Sequence, residues 1–323
     1  QIEFEQELNM KNVTYVEWYC PAPVDFLSKE KINRKIGTYL RSYTFSCLQA
    51  DIILITSFLE GFSDNCLIDL DNEFLDIPIV SIFYDLIPLI NPSLYLNNNP
   101  DFAKYYKSRI YQFKNLDGLL AISNSSAKEA IKYLDFKSSN VYNISSACDD
   151  KIFNNSTNSN SSLVIEIGDF NKFILYSGAC DPRKNIKRLL EAYSQLPSEL
   201  SHYILVLVGN LLEPEIEQVN NWIKLFQIDP RKVIKTGYIS DTDLVNLYRR
   251  CSLFVFPSLH EGFGLPVLEA MSCGAPVIGS NVTSIPEIIG ESKGLFNPND
   301  IEELTKLIEK ALTDKSYREH LFQ

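Results

Sequence analysis

The 323-residue sequence lacks an excess of positive charge, a long apolar run and a cluster of histidines. Its 30 Lys and Arg are outnumbered by 41 Asp and Glu, and the net charge of −11 argues against nucleic acid as the main partner, because phosphate binding needs a positive face. No apolar run reaches the roughly 18 residues of a membrane-spanning helix. The 3 histidines are too dispersed to suggest a metal site.

Paired cysteines are missing as well. The 7 cysteines are odd in number, scattered and without a Cys-x-x-Cys pair, which favours free thiols in a reducing compartment. What is present, 45% hydrophobic and 22% charged residues, is the composition of an ordinary globular protein. We therefore expect a cytoplasmic protein.

One low-complexity stretch, NNSTNSNSS at 154–162, predicts a flexible linker. A chain of this length favours two domains. We therefore predict an N-terminal domain over 1–153, a linker over 154–171 and a C-terminal domain over 172–323.

Apolar strands alternate with helical patterns in both halves of the sequence. Such strands predict parallel sheets that are covered on both faces, and ligands of these sheets bind beyond the carboxyl ends of the strands. We predict strands at 13–19, 51–57, 77–84, 118–123, 140–145, 172–178, 203–209, 232–237, 252–257 and 276–280. We predict helices at 29–49, 101–116, 124–135, 184–196, 213–227, 241–250, 264–273 and 300–313. The expected fold is α/β, with two Rossmann-like, doubly wound domains that face a cleft.

The N-terminal domain is expected to be incomplete. A doubly wound domain usually opens with a strand and a Gly-rich turn, and neither precedes Lys11. We therefore expect the chain to be part of a larger polypeptide. At the helix predicted for 124–135, Ser123 or Asn124 is the expected N-terminal cap.

The stretch ILYSGACDPRKNIKRLLEAY, 174–193, passes from an apolar strand to a helix through a basic loop. The strand ends at Gly178, and Arg183 and Lys184 follow close to the helix start. An anion placed there would meet free backbone N–H groups and the positive end of the helix. Arg183 could bind phosphate oxygens through two parallel hydrogen bonds, with Lys184 as a point charge. A basic loop that is merely solvated is the alternative.

The stretch FPSLHEGFGLPVLEAMSCGAPVIGS, 256–280, places Glu261 in a Gly-rich turn and Glu269 in an apolar helical run. Burying a carboxylate among apolar side chains is costly unless it has a partner. Because one glutamate is predicted in a loop and the other in a helix, they can touch different parts of one extended ligand. Carboxylates also accept hydrogen bonds well from sugar hydroxyls. A capping loop followed by a surface glutamate is the alternative.

Together with FYDLIPLINPSLY, these stretches resemble family 4 retaining glycosyltransferases of the GT-B fold, and among them the bacterial polysaccharide mannosyltransferases of the O-antigen type. The resemblance covers 12–320 and is densest over 173–297. It implies an acceptor-side N-terminal domain and a C-terminal domain that binds a nucleotide-sugar donor.

The resemblance also assigns roles to side chains. Glu261 and Glu269 match the Glu-x7-Glu pair of the family, so that Glu261 contacts hydroxyls of the transferred sugar and Glu269 contacts the ribose. Arg183 and Lys184 match the basic pair that neutralises the donor diphosphate. The other residues expected to bind the donor are Phe263 and Gly264 near the sugar and phosphate, Gly209 and Tyr238 at the nucleoside, and Gly178 at the end of its strand.

Asp85 departs from a common family pattern, in which a histidine faces the sugar at this strand end. The sequence FYDLIPL has Tyr84 and Asp85 there, as the resembling mannosyltransferases often have. We expect Asp85 to contact the sugar or the acceptor. Capping of the turn before Pro88 is the alternative.

The implied function is that of a retaining glycosyltransferase, which moves mannose from GDP-mannose onto a growing polysaccharide or a lipid-linked glycan. Neither a permanently bound cofactor nor a metal is expected, because cationic side chains and helix N-termini can stabilise the departing diphosphate. Two Asp-x-Asp sequences, at 69–71 and 241–243, are interpreted as a loop and a helix cap. The alternative function is a non-catalytic nucleotide-sugar-binding module of a larger glycan synthase.

Two basic stretches that carry aromatic residues, 29–41 and 104–114, leave open a peripheral contact with the inner face of a membrane. Solvated helices with packed aromatic stems are the alternative.

Overall fold

The computed structural model describes residues 13–69, 75–156, 172–290 and 292–321. Lys11, positions 157–171 of the predicted linker and positions 70–71 of the first Asp-x-Asp sequence lie outside these residues. The chain forms two compact units, one of Gln1–Phe83 and Tyr95–Leu120 and the other of Tyr84–Leu94 and Ala121–Gln323. The domain boundaries at 153 and 172 stay a prediction.

Strands and helices alternate along the described chain. The strands are β1 (Ile53–Ile55), β2 (Ile79–Phe83), β3 (Gly118–Ala121), β4 (Val141–Asn143), β5 (Phe173–Ser177), β6 (Ile204–Val208), β7 (Val233–Gly237), β8 (Leu253–Phe256), β9 (Val277–Ser280) and β10 (Leu295–Phe296). The helices are α1 (Lys31–Cys47), α2 (Ile87–Ile90), α3 (Pro92–Tyr95), α4 (Pro100–Gln112), α5 (Asn124–Leu134), α6 (Ile186–Ser194), α7 (Glu213–Leu225), α8 (Asp241–Arg250), α9 (Leu265–Ser272), α10 (Ile285–Ile289), α11 (Ile301–Thr313) and α12 (Lys315–His320).

The second unit contains a parallel six-stranded sheet in the order β10-β9-β8-β5-β6-β7. Every residue of β5 is buried. Ile174 and Tyr176 pack into the apolar cluster on one face of the sheet, and Phe173 and Leu175 pack into the cluster on the other. A strand that is apolar on both sides requires cover on both faces, and the helices supply it. The predicted doubly wound α/β fold is therefore confirmed.

The strand order determines where a ligand can bind. The chain runs outward from β5 through β6 to β7 and returns through β8 on the other side of β5. The chain therefore leaves β5 and β8 toward helices on opposite faces of the sheet. Such a reversal leaves a crevice at the carboxyl ends of the two strands, where doubly wound sheets bind their ligands.

In the first unit, β1 and β2 pair in parallel, with Ile53 opposite Ile79. Asp69 is the counter-ion of two arginines: its carboxylate lies 2.6 Å from Arg34 Nη2 and 2.6 Å from Arg109 Nη1. Burial alone would raise the pKa of Asp69, but the two guanidinium groups outweigh it and lower the pKa below its ordinary value.

The second Asp-x-Asp sequence begins helix α8. Ser240 is the cap, and its hydroxyl accepts from Asp243 N at 3.2 Å. Asp241 and Asp243 lie in the first turn, where a carboxylate is favourable at the positive helix end. In the part of the chain that the structure describes, no group of three His, Cys, Asp or Glu side chains could hold a metal ion.

The strand predicted at 13–19 is wrong. These residues have no regular secondary structure. Tyr15, Val16 and Tyr19 are exposed, and an alternating pattern gives a strand only where one side can be buried. The sequence also failed to indicate β10 and the short helices α2, α3 and α10. Among the described helices, none has both the length and the apolar character that crossing a bilayer requires.

Candidate functional site

The loop after β5 is a single 3₁₀ turn, Pro182–Lys184, held at both ends. At its start, Asp181 Oδ1 accepts a hydrogen bond from Arg183 N at 2.9 Å. At its end, Asn185 adopts the left-handed conformation, and its Nδ2 donates to the carbonyl of Pro257 at 3.0 Å. The turn is thus tied to the segment that follows β8, which brings the two loops of the crevice together.

Glu261 lies in the loop after β8 and pairs with both cations of the turn. Its Oε1 is 2.7 Å from Lys184 Nζ and its Oε2 is 2.8 Å from Arg183 Nη1. Glu261 and Lys184 are only 7% and 8% exposed. Burial lowers the pKa of Lys184, and the carboxylate of Glu261 opposes this effect. Two cations therefore share the carboxylate of Glu261, and Asp181 Oδ1 lies 3.7 Å from Arg183 Nε as a second, longer ion pair.

Glu269 has a buried partner. It lies in α9, and its Oε2 accepts from the hydroxyl of Tyr248 at 3.1 Å. Tyr248 is fully buried, and its hydroxyl lies 2.8 Å from Ser177 Oγ at the end of β5. Burial raises the pKa of Glu269 against the hydrogen bond from Tyr248. The sequence indicated that this glutamate needs a partner, but not that the partner comes from α8.

Three glycines that were predicted to bind the donor have backbone conformations or surroundings that leave no room for a side chain. Gly178 and Gly209, with φ of 146° and 152°, lie against each other, and a Cβ on Gly209 would approach the carbonyl oxygen of Gly178 to 2.1 Å. Gly264, with φ of 112°, precedes α9. Gly209 N also donates to Gly237 O at 3.2 Å. Gly237 directly precedes Tyr238, whose side chain is 83% exposed. The ends of β5, β6 and β7 thus present backbone rather than side chains.

Asp85 follows β2 and lies against the loop that carries Glu261. Its Oδ1 accepts from Ile87 N at 3.0 Å, so the capping interaction is present. Its Oδ2 lies 3.1 Å from the position that a Cβ on Gly262 would take. Burial raises the pKa of Asp85 above its ordinary value of 3.8, against the hydrogen bond from Ile87 N, and the carboxylate of Glu129 adds to the rise.

The structure therefore brings Arg183, Lys184 and Glu261 into direct contact, with Asp85 beside them. Phe263 follows in the same loop, and its carbonyl accepts from Ser284 Oγ at 2.5 Å. Glu269 is held separately, through Tyr248. Sequence reasoning named Ser123 only as a helix cap, and the hydrogen bond from Ser126 N to its hydroxyl confirms that role. It missed the other polar side chains that hold this loop, which are Ser126, Glu129, His260, Thr283 and Ser284.

Residues 163–323 match the family described as Glycosyl transferases group 1. Over these residues the chain belongs to that family of glycosyltransferases. The fold is similar to that of the crystal structure of Anabaena HepE in complex with UDP and glucose, with a TM-score of 0.70 and 19% identity over 92% of this chain and 77% of that chain. It is also similar to WaaG, a glycosyltransferase involved in lipopolysaccharide biosynthesis, with a TM-score of 0.66 and 17% identity over 95% and 82% of the two chains. The predicted GT-B class is confirmed.

Relatives of known function are found in Escherichia coli. The chain is 39% identical over 303 residues to the serotype-specific mannosyltransferase WbdA, which covers 92% of this chain and 37% of the relative. It is 42% identical over 156 residues to O-antigen chain mannosyltransferase B, which covers 46% of this chain and 38% of the relative. The predicted resemblance to O-antigen mannosyltransferases is therefore confirmed. The chain spans little more than a third of the length of these relatives.

Proposed function

We propose that this chain is a retaining glycosyltransferase that moves mannose from GDP-mannose onto a growing polysaccharide or a lipid-linked glycan. The observation that carries the proposal is the buried contact of Glu261 with Arg183 and Lys184 at the crevice of the parallel sheet. The names of the two E. coli relatives support mannose as the sugar and a polysaccharide as the product. The complex of HepE with UDP and glucose supports a nucleotide-sugar donor.

The ion pairs supply a mechanism for donor binding. A diphosphate offers several anionic oxygens, and it would compete with Glu261 for Arg183 and Lys184. The carboxylate released from the cations could then accept hydrogen bonds from hydroxyls of the sugar. Negative charge that develops on the leaving diphosphate would be stabilised by the same cations without a metal, because they are already in position and partly shielded from water.

The remaining donor contacts follow from the strand ends. Gly178, Gly209 and Gly264 would let the diphosphate and nucleoside approach the backbone closely. Glu269 would accept from the ribose hydroxyls, with its side chain already oriented by Tyr248. Tyr238, which is largely exposed, would cover the base. Asp85 would contact the transferred sugar or the acceptor hydroxyl.

A non-catalytic nucleotide-sugar-binding module is the second candidate function. It is favoured by the length of the chain relative to WbdA, of which it spans 37%. In that case the donor would bind at the same residues, but no sugar would be transferred by this chain alone.

The test is mannose transfer from radiolabelled GDP-mannose to a polysaccharide or lipid-linked acceptor, with Lys184→Ala compared against wild type. We expect kcat/KM to fall by about 100-fold or more, the order of magnitude for removing a group that stabilises developing charge. Lys187→Ala is the matched control, since it removes the same charge at an exposed position three residues further on. Unchanged transfer by Lys184→Ala contradicts the proposal. Binding of GDP-mannose without any transfer by wild type would favour the second candidate.

A further inference from the structure

One face of α5 contacts the loop that carries Glu261 through three polar side chains. Ser123, the N-terminal cap of the helix, donates from Oγ to Gly262 O at 2.6 Å. Ser126 Oγ is 3.0 Å from the same carbonyl. Glu129 Oε1 accepts from Nε2 of His260 at 2.7 Å. Because the three residues follow one another at intervals of three, they lie on one side of the helix, and all three are buried.

Side chains contact every carbonyl of the loop 260–263. Arg183 Nη1 donates to His260 O at 3.1 Å, and Ser123 Oγ donates to Gly262 O at 2.6 Å. Ser284 Oγ lies 3.0 Å from Glu261 O and 2.5 Å from Phe263 O, and its single hydroxyl hydrogen bonds one of the two at a time. A backbone held at three of four successive residues has little freedom, so the position of the Glu261 carboxylate is determined by these partners.

Glu129 connects this loop to the loop of Asp85. Its Oε2 accepts from Leu86 N at 3.2 Å, while its Oε1 binds the ring of His260. Leu86 follows Asp85 and His260 precedes Glu261, so one carboxylate is bonded next to both candidate site residues. A carboxylate suits this place because it can accept on both oxygens, whereas an amide can accept on only one.

We propose that Glu129 is a positioning residue, which fixes Asp85 and Glu261 relative to each other through Leu86 N and the ring of His260. The inference rests on the proposed function. Glu129 does not touch the substrate in this assignment. Its removal lets the two loops separate by a fraction of an ångström, and displacement of reacting groups on that scale lowers turnover strongly.

The test compares steady-state mannose transfer by Glu129→Gln and by wild type. We expect kcat to fall about 10-fold or more, while the KM for GDP-mannose stays within about threefold, because the cations and the strand ends that bind the diphosphate are not altered. Glu287→Gln is the matched control. Glu287 also contacts α5, accepting from Asn124 N at 2.8 Å and Ser125 N at 2.7 Å, but it does not contact the loop 260–263.

The split between kcat and KM separates positioning from a general loss of stability. After Glu129→Gln, the single amide oxygen can accept from Leu86 N or from Nε2 of His260, but not from both. One of the two loops therefore loses its bond to α5, while Arg183 and Lys184 are unchanged. A mere loss of folded protein would lower the amount of active enzyme, which active-site titration with GDP-mannose measures, and would leave kcat per active site at the wild-type value.

The outcomes are distinguishable. Wild-type kcat in a folded Glu129→Gln protein overturns the role of Glu129, and so does an equal loss in Glu287→Gln. Absence of transfer by wild type overturns the proposed function itself. If Glu129→Gln does not fold, Ser126→Ala is used instead, because it removes the hydroxyl that donates to Tyr84 O at 2.5 Å and lies 3.0 Å from Gly262 O, and it introduces a good helix former. The same fall in kcat at unchanged KM is then expected.

Discussion

At the scale of single residues, the site is a set of charges in an environment where charge is costly. Glu261 is tolerated because two cations contact it, and Glu269 because a tyrosine hydroxyl does. For Asp85, the hydrogen bond from Ile87 N and the charge of Arg183 both lower the pKa, but burial outweighs them. Its ionised form is therefore disfavoured in the folded protein.

This difference predicts how Asp85 affects stability. The pKa of Asp85 in the folded chain is raised above 3.8, so between pH 3.8 and the raised pKa the folded state holds a proton that the unfolded state has released. Stability contributed by this carboxyl is therefore present below pH 3.8 and is lost as the pH rises through that window. Asp85→Asn should unfold at higher urea concentration than wild type at pH 7, and the difference should disappear near pH 4.

A control for this prediction is Asp76→Asn, at an exposed position. Because this side chain is already in water, the urea midpoint of the variant at pH 7 should stay close to that of wild type. A difference between Asp85→Asn and wild type that is the same at pH 4 and pH 7 would contradict the assignment of the effect to burial of the ionised carboxyl.

The sequence identified the residues of the site better than their contacts. Glu261, Arg183 and Lys184 were all singled out, because Gly-rich and basic loops at strand ends are local patterns. Their pairing was not foreseen, since the sequence assigned the cations to the diphosphate and the glutamate to the sugar. Glu129 was not noticed at all. In the sequence it is an ordinary helix residue. Its contact with His260, which lies 131 residues further along the chain, depends on tertiary packing.

At the scale of elements, the approach of β5 and β6 at their carboxyl ends leaves no space for side chains. Gly209→Ala would place a Cβ 2.1 Å from the carbonyl oxygen of Gly178, at a φ of 152° that other residues rarely adopt. Backbone must therefore shift at the end of two central strands. We expect the free energy of unfolding to fall by about 3 kcal/mol, from strain and overpacking together, measured by urea denaturation.

Gly290→Ala is the matched control for this element. Gly290 also has a positive φ, of 70°, but a Cβ there would meet nothing within 4 Å. Its cost should be that of the strained backbone conformation alone, about 1–2 kcal/mol. Equal destabilisation by the two substitutions would show that conformation alone, and not the contact of the strand ends, requires glycine at 209.

Elements with strong local patterns were predictable and those without were not. β5, β6 and β8 are continuous apolar runs flanked by helices, and their positions agree with the prediction. β10 has two residues, too few for any pattern, and exists because it pairs with β9 at Leu295 and Phe296. The stretch 13–19 has the composition of a strand, but Tyr15, Val16 and Tyr19 stay exposed, which composition alone does not reveal.

At the scale of the whole molecule, the candidate site residues all lie in one of the two compact units, the one formed by Tyr84–Leu94 and Ala121–Gln323. A ligand that binds only the native state raises the free energy of unfolding of the unit that holds it, by about 2.7 kcal/mol at 100 times its Kd. The stabilisation by donor should therefore be confined to part of the chain.

Hydrogen exchange with and without GDP-mannose tests this expectation. Amides at the ends of β5, β6 and β8 should exchange more slowly with the donor present, whereas amides of β1 should be unaffected. In parallel, the melting temperature should rise more with GDP-mannose than with UDP-, ADP- or dTDP-sugars, and Lys184→Ala should reduce the rise, because Lys184 is assigned to the diphosphate that all four donors share. Equal shifts for all four nucleotide-sugars would contradict the guanine preference, and protection of β1 alone would contradict the location of the site.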